Sequence, residues 1–111
     1  MNTVKINSTD QDLTVYNACT YFTRLRGLIG KNLDDVDGLL LTPCNQIHTF
    51  FMSFPIDVIY LDKKGCILKI DENVPKGMVL KKVNGAYRIL EIKANHSQKF
   101  NLTENLILEV Q

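Results

Sequence analysis

A chain of 111 residues with 45% hydrophobic and 23% charged side chains has the make-up of a single globular domain, read here as residues 1–111. Thirteen basic side chains against twelve acidic ones leave a net charge of +1, which excludes a global attraction to nucleic acid or to an anionic membrane. Uninterrupted apolar runs are only a few residues long, far short of the roughly 20 that a spanning helix needs, so no membrane span is expected.

Residues 1–10 are polar and lack the apolar stretch of a signal peptide, which reads as a cytoplasmic protein. Val4 and Ile6 alternate with polar neighbours, Ser8-Thr9-Asp10 is a turn cluster, and Leu13, Val15 and Tyr16 follow. The chain is therefore expected to open with a β-hairpin. Thr20 has the chemistry of an N-cap, because its hydroxyl can accept from a free amide of a first helical turn. Phe22, Leu25, Leu28 and Ile29 fall on one stripe at helical spacing, and Gly27 and Gly30 weaken and end the element. This predicts a short helix over 21–29.

Residues 32–37 read as a polar connection; Asp34, Asp35 and Asp37 lack EF-hand spacing and a closing Glu, so a solvated turn is expected rather than a calcium loop. Gly38 and the three leucines after it form a short buried strand, ended by Thr42-Pro43. A dense apolar patch over 47–52 encloses His48 and Thr49 and is interrupted by Pro55. Residues 58–61 and 66–70 flank Asp62-Lys63-Lys64-Gly65, the clearest hairpin in the chain, with Gly65 supplying the positive φ of a bulged type I turn. Residues 71–85 read as a mostly polar loop broken by Pro75, Gly77 and Gly85. Residues 87–94 form a long strand in which Leu90 and Ile92 point one way and Glu91 the other, 95–100 suit one helical turn, and 106–110 make the last strand.

Chemistry-bearing residues are few. Cys19, Cys44 and Cys66 are odd in number and widely spaced, with no CxxC, so free thiols are expected and neither a zinc site nor a redox pair is encoded. No metal and no cofactor are expected. His48 is the first candidate, as a base, a ligand or a backbone-bonded structural residue. Cys44 lies four residues before it, which in an extended segment is roughly 13 Å, too far for a nucleophile and its base unless the loop folds back. Asp57 enters the core just after Pro55-Ile56 and needs a partner there. Arg26 borders the apolar stripe of the predicted helix and is the expected partner, or else the centre of an anion site. Phe50, Phe51, Met52 and Phe54 alternate in direction, so either both faces of the sheet are covered or Phe51 or Phe54 is exposed. Lys76, Lys81 and Lys82 are too narrow a basic run for nucleic acid, which is not an expected partner, and His96 reads as a surface residue.

Three segments, Ala18-Cys19-Thr20 with Leu25-Arg26-Gly27-Leu28-Ile29-Gly30, Gly38-Leu39-Leu40-Leu41 followed by Ile47-His48-Thr49-Phe50-Phe51-Met52 and Pro55-Ile56-Asp57-Val58-Ile59-Tyr60-Leu61-Asp62, and Ile89-Leu90-Glu91-Ile92-Lys93-Ala94 with the closing apolar strand, together resemble the domain-of-unknown-function family 192, over about residues 4–110. The chain departs from the family at Asn95, where the family has glycine after Ala94, and at Glu104-Asn105, where it has Gly-Asp. Asparagine is the next-best residue for a left-handed backbone, so both turns are expected to survive. The resemblance implies a compact, mostly antiparallel β fold with small helices, and it implies no reaction.

The resulting fold expectation is α+β: a small, mostly antiparallel sheet, curled or closed to a partial barrel, with one or two short helices. The functional expectation is a non-enzymatic binding or accessory module using the groove around residues 47–57, with Arg26, His48, Phe51, Met52 and Asp57 as ligand-contacting residues. The alternative is a small hydrolytic enzyme using His48 with Asp57 or Cys44. A pocket in which His48, Asp57 and Arg26 converge favours a ligand binder or an enzyme; a flat apolar patch favours a macromolecular partner.

Overall fold

The computed structural model describes residues 2–8, 11–19, 33–50 and 52–111. The helix expected over 21–29, its Thr20 cap, Arg26 and Phe51 lie outside the described residues. Among the described residues seven strands make one sheet: β1 (Thr3–Asn7), β2 (Asp12–Ala18), β3 (Gly38–Leu41), β4 (Ile56–Leu61), β5 (Ile67–Val74), β6 (Arg88–Lys93) and β7 (Glu109–Val110). Their order across the sheet is β5-β4-β6-β3-β2-β1-β7, and every pairing is antiparallel except that of β2 with β3.

The opening hairpin forms as expected, with Thr3 opposite Tyr16 and Asn7 opposite Asp12. β3 is buried at all four residues because it runs between β2 and β6 with both faces covered. Gly38 opens it for a steric reason: a Cβ there would run into the Glu91 carbonyl oxygen of the neighbouring strand. The hairpin from β4 to β5 turns on Gly65 at φ 91°. The Asp62 carboxylate accepts from the amides of Lys64 and Cys66, both at 2.9 Å, and so holds the turn.

Three expectations need correction. The sheet is neither closed nor curled into a partial barrel; its order has two ends, β5 and β7. The C-terminal segment pairs with the start of β5 through an isolated bridge between Cys66 and Ile107 and a few flanking backbone bonds, such as Ile67 N to Leu106 O at 2.9 Å, and not as a ladder. Alternation of apolar residues reports which face is buried and carries no information about closure. The fold is mostly β rather than α+β, since the helix among the described residues is one turn, α1 (His96–Lys99). β5 also runs four residues beyond the apolar stretch, to Val74, so residues 71–74 are strand and not loop. They are polar because β5 ends the sheet order, and a register irregularity with Asn73 at φ 53° lets the buried Val74 rejoin the ladder opposite Ile56.

Both faces of the sheet are covered. One cluster packs Ile6, Leu13, Leu40, Ile59 and Leu90 against Phe100 and Leu102, which follow α1; the other packs Leu39, Leu41, Ile56, Val58 and Tyr60 against the connecting segments that carry Ile47 and Met52. Asn95 and Asn105 both adopt left-handed backbones, at φ 69° and φ 72°. His96 is half-buried rather than a surface residue and meets the Phe100 ring edge-on at 5.8 Å. Burial and then the charges of Lys99 and Lys93 hold its pKa down. Among the described residues no helix is long and apolar enough to cross a membrane.

Candidate functional site

The apolar stretch 47–52 does not extend the sheet. It pairs with residues 75–83, and Thr49 is the clasp. The Thr49 hydroxyl donates to the Pro75 carbonyl at 2.7 Å and accepts from the Met78 amide at 2.9 Å. Its own amide donates to Met78 O at 2.8 Å, and its carbonyl receives the Gly77 amide at 3.1 Å. Further along, the Leu80 amide donates to Ile47 O at 3.1 Å, the Gln46 side chain to Leu80 O at 2.9 Å, and the Val83 amide to Asn45 O at 3.0 Å. A buried threonine thus satisfies the polar groups of two loops at once, which is what allows irregular backbone to be held in place.

The zipped pair has two sides. Ile47 and Met52 turn inward, with Leu80 and Val83 packed beside them against the second core cluster. Outward stand His48, opposite Val79 in an isolated bridge, with the Phe50 ring 5.1 Å from the imidazole. The Phe50 amide donates to His48 Nδ1 at 3.3 Å, so this nitrogen serves the local turn. Phe50, Met78 and Val79 are 42%, 43% and 63% exposed, and they are three of the four exposed large apolar side chains among the described residues; the fourth, Ile107, lies elsewhere. Phe54, by contrast, is half-buried against the second cluster.

Asp57 does not join His48. On β4 it shares a face with Ile59 and Leu61, whose cluster lies on the side away from Ile47 and Met52. The carboxylate is fully buried and accepts from the Ser97 hydroxyl at 2.6 Å, the Ser97 amide at 3.0 Å and the Asn73 amide at 2.8 Å. Desolvation pushes its pKa up, but the Ser97 hydroxyl and the amides of Asn73, Ser97 and Asn95 outweigh it and hold the carboxyl below its ordinary value. These donors partner Asp57 among the described residues; Arg26, the expected partner, lies outside them. The Cys44 thiol donates to the Gln46 carbonyl at 3.3 Å, within its own loop. The structure thus brings His48 to the surface, Met52 into one core cluster and Asp57 against the other.

Two features escaped the sequence reading. Met78 and Val79 sat inside a segment taken for polar loop; the signal was the apolar run Met78-Val79-Leu80 between lysines. Glu91 is only 5% exposed, on the central strand β6 between Val58 and Leu39, and its side chain makes no hydrogen bond or ion pair with another described residue. Burial pushes its pKa up to about 8. Its neighbour Tyr60 donates to the Asp71 carboxylate at 2.9 Å and is itself pushed up, by burial first and then by that bond. Among the described residues no group of three or more His, Cys, Asp or Glu side chains is placed to hold a metal ion.

Residues 2–110 match the model of the family DUF192, described as "Uncharacterized ACR, COG1430". No curated protein matches the chain. Among solved structures, a protein of unknown function from Novosphingobium aromaticivorans DSM 12444 superposes with a TM-score of 0.81 at 17% identity, over 96% of this chain and 83% of the other. A protein described as a "putative transcription regulator" from Sinorhizobium meliloti 1021 does so with a TM-score of 0.84 at 19% identity, over 97% and 92%. At these identities the likeness is one of fold.

Proposed function

From the premise that this chain belongs to the DUF192 family, we propose that it is a non-enzymatic binding module whose contact surface is the outer side of the zipped loops, carrying His48 and Phe50 with Met78 and Val79. The observation that supports this is the concentration of exposed apolar side chains on that one loop pair. Large apolar groups left in water and clustered mark interaction sites. The Thr49 clasp supports the reading further, because a surface held rigid before binding loses little freedom on contact.

The alternative, a hydrolytic enzyme using His48 with Asp57 or Cys44, has no comparable support. Asp57 is engaged by Ser97 and Asn73 on the other face of β4, and the Cys44 thiol is turned to Gln46.

The test is a photoreactive benzoylphenylalanine placed at position 50 or 79 of the full chain in cells, with Ile107, an apolar residue of similar exposure, as the control position. Covalent adducts to protein or lipid are expected at 50 and 79 and not at 107. No adducts at 50 and 79, or equal labelling at 107, would overturn the reading.

A further inference from the structure

Resting on that reading of the surface, we infer that its occupant is an anionic lipid surface, onto which Phe50, Met78 and Val79 dip while Lys76, Lys81 and Lys82 meet the head groups. Charge is segregated here in a way the overall balance hides. Residues 38–56 contain no charged side chain, and residues 74–87 contain three lysines and no carboxylate, in a chain whose net charge is only +1. All three lysines are exposed, and Met78 and Val79 lie between Lys76 and Lys81. Apolar tips flanked in sequence by exposed lysines fit the boundary between head groups and acyl chains, where both kinds of group are satisfied at once.

The kind of cation separates lipid from protein. Protein interfaces are enriched in arginine and depleted in lysine, because a planar fork rewards fixed geometry. Lysine is a hydrated point charge on a flexible apolar stem and suits a diffuse, mobile anionic surface. The neighbouring groove between β5 and residues 78–81, about 400 Å³, mixes Lys69 and Lys81 with Asp71 and Glu72. Two register irregularities in β5 also break the edge that an added peptide strand would need. Association through three side chains and three lysines is reversible and dependent on salt.

The chain contains no tryptophan, so Val79→Trp, at a 63% exposed position, gives an emission signal without background. This variant is titrated with vesicles of equal parts phosphatidylglycerol and phosphatidylcholine, and with vesicles of phosphatidylcholine alone. The expected result is a blue shift with the anionic vesicles, partition about tenfold or more above the neutral ones, and reversal by added salt. Lys81→Gln with Lys82→Gln should weaken partition by about twenty-five-fold, taking about fivefold for each lysine. Co-sedimentation of the unmodified protein with the same vesicles guards against a variant that folds poorly. No shift and no co-sedimentation, or equal binding to neutral vesicles, overturns the inference. If vesicles fail while position 50 cross-links to protein, the lipid inference falls and the binding surface stands; if neither forms, both fall.

Discussion

The Asp57 carboxylate accepts a 2.6 Å hydrogen bond from the Ser97 hydroxyl, 40 residues further along the chain. It ties the central strand β4 to the one-turn helix α1, whose N-cap Asn95 supplies no side-chain cap of its own. Ser97→Ala removes a hydrogen bond to a charged acceptor and should lower stability by about 1.5–3 kcal/mol. Asp57→Ala leaves the Ser97 and Asn73 amides without their acceptor and should cost more, about 3–4 kcal/mol. Urea titrations of both variants check this; a Ser97→Ala loss of only a few tenths would show that the bond contributes little. Because the folded pKa of Asp57 lies below 3.8, its contribution is present above that value and lost as pH falls through the folded pKa.

Glu91 acts in the opposite sense and in a different window. Its carboxyl is pushed from 4.5 up to about 8, so the folded chain holds a proton that the unfolded chain has released. Stability is fully present below pH 4.5 and falls as pH rises to about 8, with a limiting slope of about 1.4 kcal/mol per pH unit. Glu91→Gln should remove most of that slope. Denaturant midpoints measured from pH 4.5 to pH 8 on both proteins decide it; parallel curves would refute the assignment to Glu91.

Thr49→Val keeps the shape of the clasp and removes its hydroxyl. The Met78 amide and the Pro75 carbonyl then lose a partner, at a cost of about 1–3 kcal/mol. Amide exchange should show where the damage falls. Met78 and Leu80, protected by bonds to the 47–49 segment, should exchange much faster in the variant, while Ile59 and Ile70 of the β4–β5 ladder change little. Equal acceleration in both regions would mean that the loops are not a separate unit.

None of the three cysteines is in a disulfide, and their exposure differs: Cys19 is exposed, whereas Cys44 and Cys66 are half-buried. Native alkylation without reductant should label Cys19 first, and all three sites should react once the chain is unfolded. Mass spectrometry over time reads the order. Fewer than three adducts on the unfolded chain would contradict free thiols.

Much of the sheet was legible because its signals are local. Period-two alternation marked β1, β2 and β6, and Gly65 with Asp62 fixed the tightest hairpin, since turn chemistry acts over four residues. The left-handed turns at Asn95 and Asn105 followed from asparagine's tolerance of that backbone. The family resemblance was carried by segments that fold into β3, β4 and β6, the middle of the sheet, together with the 47–52 stretch.

What the sequence could not determine depends on residues far apart in the chain. Alternation places Asp57 on the face opposite Val58 but does not say which loop covers that face; the packing of α1 decided it and supplied Ser97 as a partner. The spacing of His48 and Asp57 suggested one groove, whereas β4 turns Asp57 toward Ser97 and the Thr49 clasp holds His48 on the outer side of the loop pair. Met78 and Val79 became part of a surface only when Thr49 joined two loops 29 residues apart. Composition and local pattern fix which side chains are apolar and how each short segment bends, because those are properties of neighbouring residues. Which apolar groups end up buried and which remain in water is set by the pairing of distant segments, and only the tertiary structure shows that Phe50, Met78 and Val79 are left outside together.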